Sequence, residues 1–277
     1  MSDDHEVYPN APLALVVVEI RFSNGASDRP LPMPLQRTIR DALGEEWVID
    51  SSKIQRFDLS IGPNGPAPQF MAPVPVTRFT VRDRTKAIAL TESTLTIEAT
   101  EYSQYPAFRE TLELAISAIS TFLKPDGINR VGMRYIDEIR IPEITDSNID
   151  DWSKWLHPSL SAPCADEMAA ANIEPLSWEG AAQYNTGIDQ RLVLRYGSRS
   201  GFVVSPVGPL MRPHPPLPGA LFFLDFDSYW EPQGIPEFTG SEVLERCDSL
   251  RSPIRSLFDF LTTENLLKEF RKVTESE

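Results

Sequence analysis

Cysteine and histidine are almost missing from this chain, with two of the first and three of the second in 277 residues. Cys164 and Cys247 have no Cys-x-x-Cys spacing, so two reduced thiols are expected rather than a disulfide. A cysteine nucleophile would need a histidine base beside it, and a buried, inert thiol is the commoner outcome. His5, His157 and His214 form no pair at metal-ligand spacing. Gly-x-Ser-x-Gly, Walker-type and Gly-x-Gly-x-x-Gly runs are also absent, which weakens hydrolase, kinase-like and dinucleotide-binding readings. Basic residues are the minority, 26 Lys+Arg against 40 Asp+Glu, and a net charge of −14 repels a polyanion at long range. Non-specific nucleic-acid binding is therefore not expected. The apolar run from Leu13 to Val18 is far too short to cross a bilayer, and the acidic start Met1-Ser2-Asp3-Asp4-His5-Glu6 lacks the basic residues of a signal peptide. These features point to a cytoplasmic protein with no membrane partner.

What is present is the composition of a globular protein, 41% hydrophobic and 24% charged. From Arg130 to Ile141 the chain alternates, placing Val131, Met133, Tyr135, Ile139 and Ile141 on one side and Arg130, Arg134, Glu138 and Arg140 on the other. Leu13 to Phe22 reads as a second long strand, entered through Pro9 and Pro12. Alternation also predicts a meander over Val76 to Arg82, Ala87 to Leu90 and Leu95 to Ala99. Helical rows run from Leu35 to Leu43 and from Pro106 to Leu123. Further on, Asp150 to Leu156 reads as a short amphipathic helix, while Gln190 to Tyr196 and Gly201 to Ser205 read as a hairpin around Gly197-Ser198-Arg199-Ser200. Six prolines between Pro206 and Gly219 exclude helix and central strand, after which Ala220 to Tyr229 resumes as a strand. Thr239-Gly240-Ser241-Glu242 has capping-box spacing and opens a helix that Pro253 is expected to kink or restart.

Glu138-Ile139-Arg140-Ile141 repeats Glu19-Ile20-Arg21-Phe22, and Arg191-Leu192-Val193-Leu194-Arg195 echoes Arg78-Phe79-Thr80-Val81-Arg82. The expected architecture is an α+β protein of two tandem similar halves, 1–129 and 130–277, related by a pseudo-two-fold axis. Each half would hold an antiparallel sheet, a short helix and a long covering helix, with the proline-rich stretch 206–219 as an insertion in the second.

No catalytic constellation stands out, no cofactor is expected, and the reading leans away from an enzyme. Asp225 and Asp227 lie on one strand face at a spacing that can hold a divalent cation, although solvated surface is the commoner reason for such a pair. Asp137 falls on the otherwise apolar side of its strand, beside Tyr135 and Ile139, and an ionised acid there needs a partner or water. Pairing with an arginine or a tyrosine hydroxyl is the usual outcome, and ligand contact the alternative. Arg134, Tyr135, Asp137, Tyr229 and Trp230 are the candidate partner- or ligand-binding residues, with Trp230 expected to cap a groove.

Tyr8-Pro9-Asn10-Ala11-Pro12, Glu19-Ile20-Arg21-Phe22, Arg130-Val131-Gly132-Met133-Arg134-Tyr135-Ile136, Leu224-Asp225-Phe226-Asp227 and the closing Leu257-Phe258 to Thr263 helix are found together along the whole chain. In this the sequence resembles a family of sporadically distributed, uncharacterised bacterial and archaeal proteins. That family commonly has Asn where this chain has Asp137, which casts doubt on any role that needs an amide. The resemblance implies no activity and no catalytic residues. Sporadic occurrence is typical of defence islands, so it implies an interaction component: an accessory, regulatory or antitoxin-like neutralising protein with a protein partner, and possible homodimerisation. The other expectation is a small-ligand or nucleotide-handling protein, metal-dependent through Asp225 and Asp227.

Overall fold

The computed structural model describes residues 8–23, 31–50, 52–54, 57–62, 65–70, 74–149, 151–161, 170, 171, 173 and 176–272, with backbone alone across 52–75. Among the described residues, twelve strands run in chain order: β1 (Leu13–Ser23), β2 (Trp47–Ile49), β3 (Ser52–Ile54), β4 (Phe57–Gly62), β5 (Gly65–Phe70), β6 (Val74–Val81), β7 (Lys86–Leu90), β8 (Thr94–Ala99), β9 (Gly127–Ile139), β10 (Trp178–Gly187), β11 (Gln190–Gly201) and β12 (Gly219–Trp230). The helices are α1 (Met33–Leu43), α2 (Tyr105–Phe122), α3 (Gly240–Leu261) and α4 (Glu264–Phe270). One antiparallel sheet holds most of the strands, in the order β10-β11-β12-β9-β1-β8-β7-β6-β2, with β3 also on β6 and β4-β5 a separate hairpin.

Strict alternation puts the core on one face. Ala14, Val16, Val18, Ile20 and Phe22 of β1 are buried and meet Val131 and Met133 of β9 and Leu95 and Ile97 of β8 in register. Phe108, Leu112, Ala115, Ile116 and Ile119 of α2 cover this face together with Val243, Cys247, Leu250 and Ile254 of α3. These two helices pack on one another, and α3 lies over β9 and β12. Thr239 caps α3 by accepting from the Glu242 N–H at 3.2 Å. Of the kink or restart expected at Pro253, the restart does not occur, since the helix passes through it in one span.

The expected pair of similar halves, each with its own sheet and long covering helix, is overturned by this single sheet. The ladder of β1 with β9 is continuous with the rest of the sheet, and the segments before and after residue 130 are unequal. The first contributes β1, β2, β3, β6, β7 and β8, the second β9 to β12. Nor do the short helices match. Trp152 to Leu156 makes turns and a bridge to Thr262 in place of the expected helix, and Asp150 lies outside the described residues. Trp152 is held instead by its indole N–H, which donates to the Ile149 carbonyl (2.7 Å) and to Ser198 Oγ (2.9 Å). Local similarity had a simpler origin, because any two strands with one covered and one ion-paired face repeat the same apolar and charged alternation.

The second hairpin also differs from expectation. β11 runs unbroken through Gly197-Ser198-Arg199-Ser200, and its hairpin partner is β10, joined through Ile188 and Asp189. A Cβ on Gly197 would stand 2.1 Å from the Trp178 carbonyl oxygen, so this glycine serves close approach of the β10 backbone and not a turn. The proline-rich stretch is no passive insertion. It crosses one end of the sheet as a strap: the Met211 N–H donates to the Arg84 carbonyl (2.9 Å), and Thr100 Oγ1 donates to the Met211 carbonyl (2.6 Å).

Candidate functional site

The two faces of the sheet separate the candidate residues. On the face without helices, acids and arginines neutralise each other. Arg134 forks onto Asp225, with Nε to Oδ1 at 2.7 Å and Nη2 to Oδ2 at 2.6 Å, and Arg195 stands 3.6 Å away. Arg130 donates to Glu19 at 2.9 Å, lies 3.6 Å from Asp227 and stacks over the Tyr229 ring at 4.7 Å. Both oxygens of Asp225 are thus taken by a guanidinium, and its side chain is only 6% exposed, so it is not the solvated surface acid that its spacing suggested. Among the described residues, no three His, Cys, Asp or Glu side chains are grouped to hold a metal ion. Trp230 points to the helix side, buried under the Arg246 guanidinium at 4.2 Å.

Glu138 is buried beneath the strap. Its Oε1 accepts from the Val203 and Val204 N–H groups, both at 2.8 Å, and its Oε2 from Arg212 at 2.8 Å and Arg140 at 3.3 Å. Burial alone would raise its pKa. The Val204 N–H, Arg212 and the Val203 N–H outweigh burial and bring it below the ordinary carboxylate value. This acid is a structural clamp that the alternation of β9 gave no reason to single out, since its donors lie in a loop far along the chain.

Asp137, its neighbour, projects to the other face and has the opposite surroundings. It is 5% exposed, and among the described residues no group hydrogen-bonds to its carboxyl. The carboxyl lines a cavity of about 150 Å³. A register shift between Leu13 and Leu15, opposite Asp137 and Ile136, loosens the ladder at that point. The segment before β1 is tied down around it, with the Glu138 N–H on the Pro12 carbonyl (2.8 Å) and the Asn10 N–H on that of Phe270 (3.0 Å). Burial, and secondarily the charge of Asp225 across the sheet, push the Asp137 pKa from 3.8 up to about 7.

The cavity walls are aromatic on one side and basic on another. Tyr102 and Tyr135 meet edge to face with centroids 5.8 Å apart and hydroxyls 3.3 Å apart, and Phe226 and Phe258 pack beside them. Tyr105 Oη donates to Asp248 at 2.6 Å, and burial first, then that bond, raises its pKa. Arg251 and Arg255 of α3 line the same space, Arg251 over the Tyr105 ring at 4.5 Å and Arg255 on Asp259 at 3.1 Å. The first residues of α2 complete the rim.

Of the five residues singled out by sequence, the structure therefore brings Tyr135 and Asp137 together in this cavity. It places Arg134 and Tyr229 in the ion-paired face and Trp230 under Arg246. Sequence reasoning missed Tyr102, Tyr105, Arg251 and Arg255; the i, i+4 spacing of the two arginines on one helix face was the available signal. Cys247 is buried in the core, with burial as the main cause pushing its thiol up to about 12, which suits packing and not nucleophilic chemistry. His157 accepts from the Ser159 N–H at 3.2 Å beside Phe260, while Cys164 and His5 lie outside the described residues. No helix among the described residues is long and apolar enough to cross a membrane. Neither a family model nor a curated protein matches the chain.

Proposed function

We propose that the protein binds a small organic ligand in the Asp137 cavity and is not itself a catalyst. One observation carries the reading: a carboxyl with no hydrogen-bond partner among the described residues lines a cavity that is otherwise largely apolar. Burial penalises the charged form of this acid, and a ligand donor would supply what the chain does not. A cavity of this volume suits a molecule of roughly six to ten heavy atoms, one able to enclose a benzene-sized body. The test is thermal denaturation against a panel of small amines, acids and zwitterions. A ligand present at about a hundred times its Kd raises stability by about 2.7 kcal/mol. A melting temperature that no member of the panel moves sinks the reading.

A second reading keeps the protein as a partner-binding component of a defence-type system, and a different feature favours it. β10 is an edge strand of ten residues with Glu179 as its one charged side chain and Tyr184 exposed, a backbone ladder open to a further strand. Amide exchange of β10, measured with and without the products of adjacent genes, tests it; unchanged exchange throughout removes it.

A further inference from the structure

The cavity has two electrical poles, and they differ in kind. Asp137 supplies an acid on the sheet side. Facing it are the start of α2 and two guanidinium groups of α3, all three lining the same space. The 18-residue α2 begins without a side-chain cap: Gln104, its N-cap residue, makes no side-chain bond, and its first turn carries no acid. A helix start of this kind presents partial positive charge to an external carboxylate, although Pro106 in its first turn has no N–H to donate. Arg255 adds charge to that pole while sharing Asp259 at the surface. Between the poles stand aromatic rings with no formal charge.

On the premise that the cavity is a ligand site, we propose that it takes a small apolar α-amino acid. The ammonium group sits on Asp137, the carboxylate faces the α2 start with Arg255, and the side chain lies among Tyr102, Tyr135 and Phe226. Each part answers a separate feature. An ammonium gives the lone acid its missing donors and gains from the tyrosine faces around it. A carboxylate answers the partial positive charge at the start of α2, whose N-cap residue Gln104 makes no side-chain cap bond. The volume limits the side chain to something near leucine or smaller in bulk.

Proton uptake provides an independent readout. The groups facing Asp137 are Tyr135 on its own strand, Tyr8 from the segment before β1, Tyr102 and Tyr105 at the α2 start, and Arg251 and Arg255 from α3, with Asp225 behind the sheet. Asp137, pushed up to about 7 by burial, governs the pH dependence near neutrality. An ammonium can pair only with the ionised acid. Binding at about pH 6 then releases about one proton, and binding at about pH 8.5 releases almost none.

The experiment uses the full chain and three isosteres: L-leucine, 3-methylbutylamine and 4-methylpentanoate. Calorimetry in buffers of different ionisation enthalpy gives both affinity and protons released. Leucine is expected to bind at least about tenfold tighter than either singly charged analogue. Asp137→Asn should weaken leucine and the amine by about tenfold or more and abolish proton release, leaving the acid unchanged; Arg255→Gln should weaken leucine and the acid instead. Leucine no tighter than one of its analogues, or proton release that persists in Asp137→Asn, overturns the amino-acid assignment while leaving the cavity as a ligand site. Failure of all three isosteres also overturns the assignment, and failure of the wider panel as well overturns the ligand site itself. Circular dichroism and melting temperature of each variant show that lost binding is not lost folding.

Discussion

Asp137→Asn should make the protein more stable at neutral pH, by an amount that grows with pH. In the folded state the carboxyl titrates near 7 in place of 3.8, so between those values the native chain holds a proton that the unfolded chain has released. Stability therefore falls as pH rises across this window, by about 1.4 kcal/mol for each pH unit, and levels off above about pH 7. The total over the window from 3.8 to about 7 is on the order of 4 kcal/mol. An asparagine amide of nearly the same shape carries no such ionisation penalty. Urea unfolding of both proteins from about pH 4 to about pH 8 should give stabilities that agree at the acid end and separate steadily towards neutrality. At about pH 8 the variant should be more stable by roughly 3 to 4 kcal/mol, which is about 6 °C in Tm for a chain of this size. Parallel curves, with no change in slope between wild type and variant, would refute the claim that Asp137 stands buried without a partner. A saturating ammonium ligand should restore most of the difference to the wild type and none to the variant.

Glu138→Gln should act in the opposite direction. Its lowered pKa means a stabilising contribution present above the unfolded value and lost as pH falls through the folded one, so the variant should cost about 3 to 5 kcal/mol at neutrality and less in acid. Amide exchange of Val203 and Val204 should speed up in the same variant. Arg134→Leu leaves the almost buried Asp225 carboxylate with Arg195 as its remaining close arginine, and should destabilise by about 2 to 4 kcal/mol in chemical denaturation. Gly197→Ala drives a methyl group into the Trp178 carbonyl and should detach β10, measured as faster exchange over 178–187 with the β1 to β9 ladder unchanged. In a Cys164→Ser background, Cys247 should react with a thiol reagent only at the rate of unfolding; prompt labelling of the native protein would contradict its burial.

How far the chain could be read in advance depended on where each element finds its partners. Alternation locates β1, β6 to β9 and β12 because one face of each is packed under helices and the other meets charge or water. It fails for β10, which buries no residue fully: one face is exposed and the other only half-covered, so that pairing with β11 makes a strand of Trp178-Glu179-Gly180-Ala181-Ala182. Gly197 misleads in the same way, since a glycine chosen for close backbone approach looks in sequence like one chosen for a turn. Asp137 is visible as an acid out of phase with its strand. Its lack of a partner is not, because that depends on Tyr102, Arg251 and the segment before β1 arriving at the same place from distant parts of the chain. The two-halves reading fails because strand patterns record which side is covered and carry no record of which sheet a strand joins.

Where β1 lies in the sheet bears on how the molecule could be divided. Its two neighbours are β8, which precedes α2 in the chain, and β9, reached only after α2, while the strap from beyond β11 closes over Arg84 and Thr100. A break between residues 124 and 127 would separate two pieces that each expose a long, water-averse strand edge, so neither should hold its shape alone. Mixed together, the pieces have the complementary edges needed to zip into one another, and the strap to latch the result. The protein is in this sense a natural candidate for splitting into two inert fragments whose reunion reports that they have met.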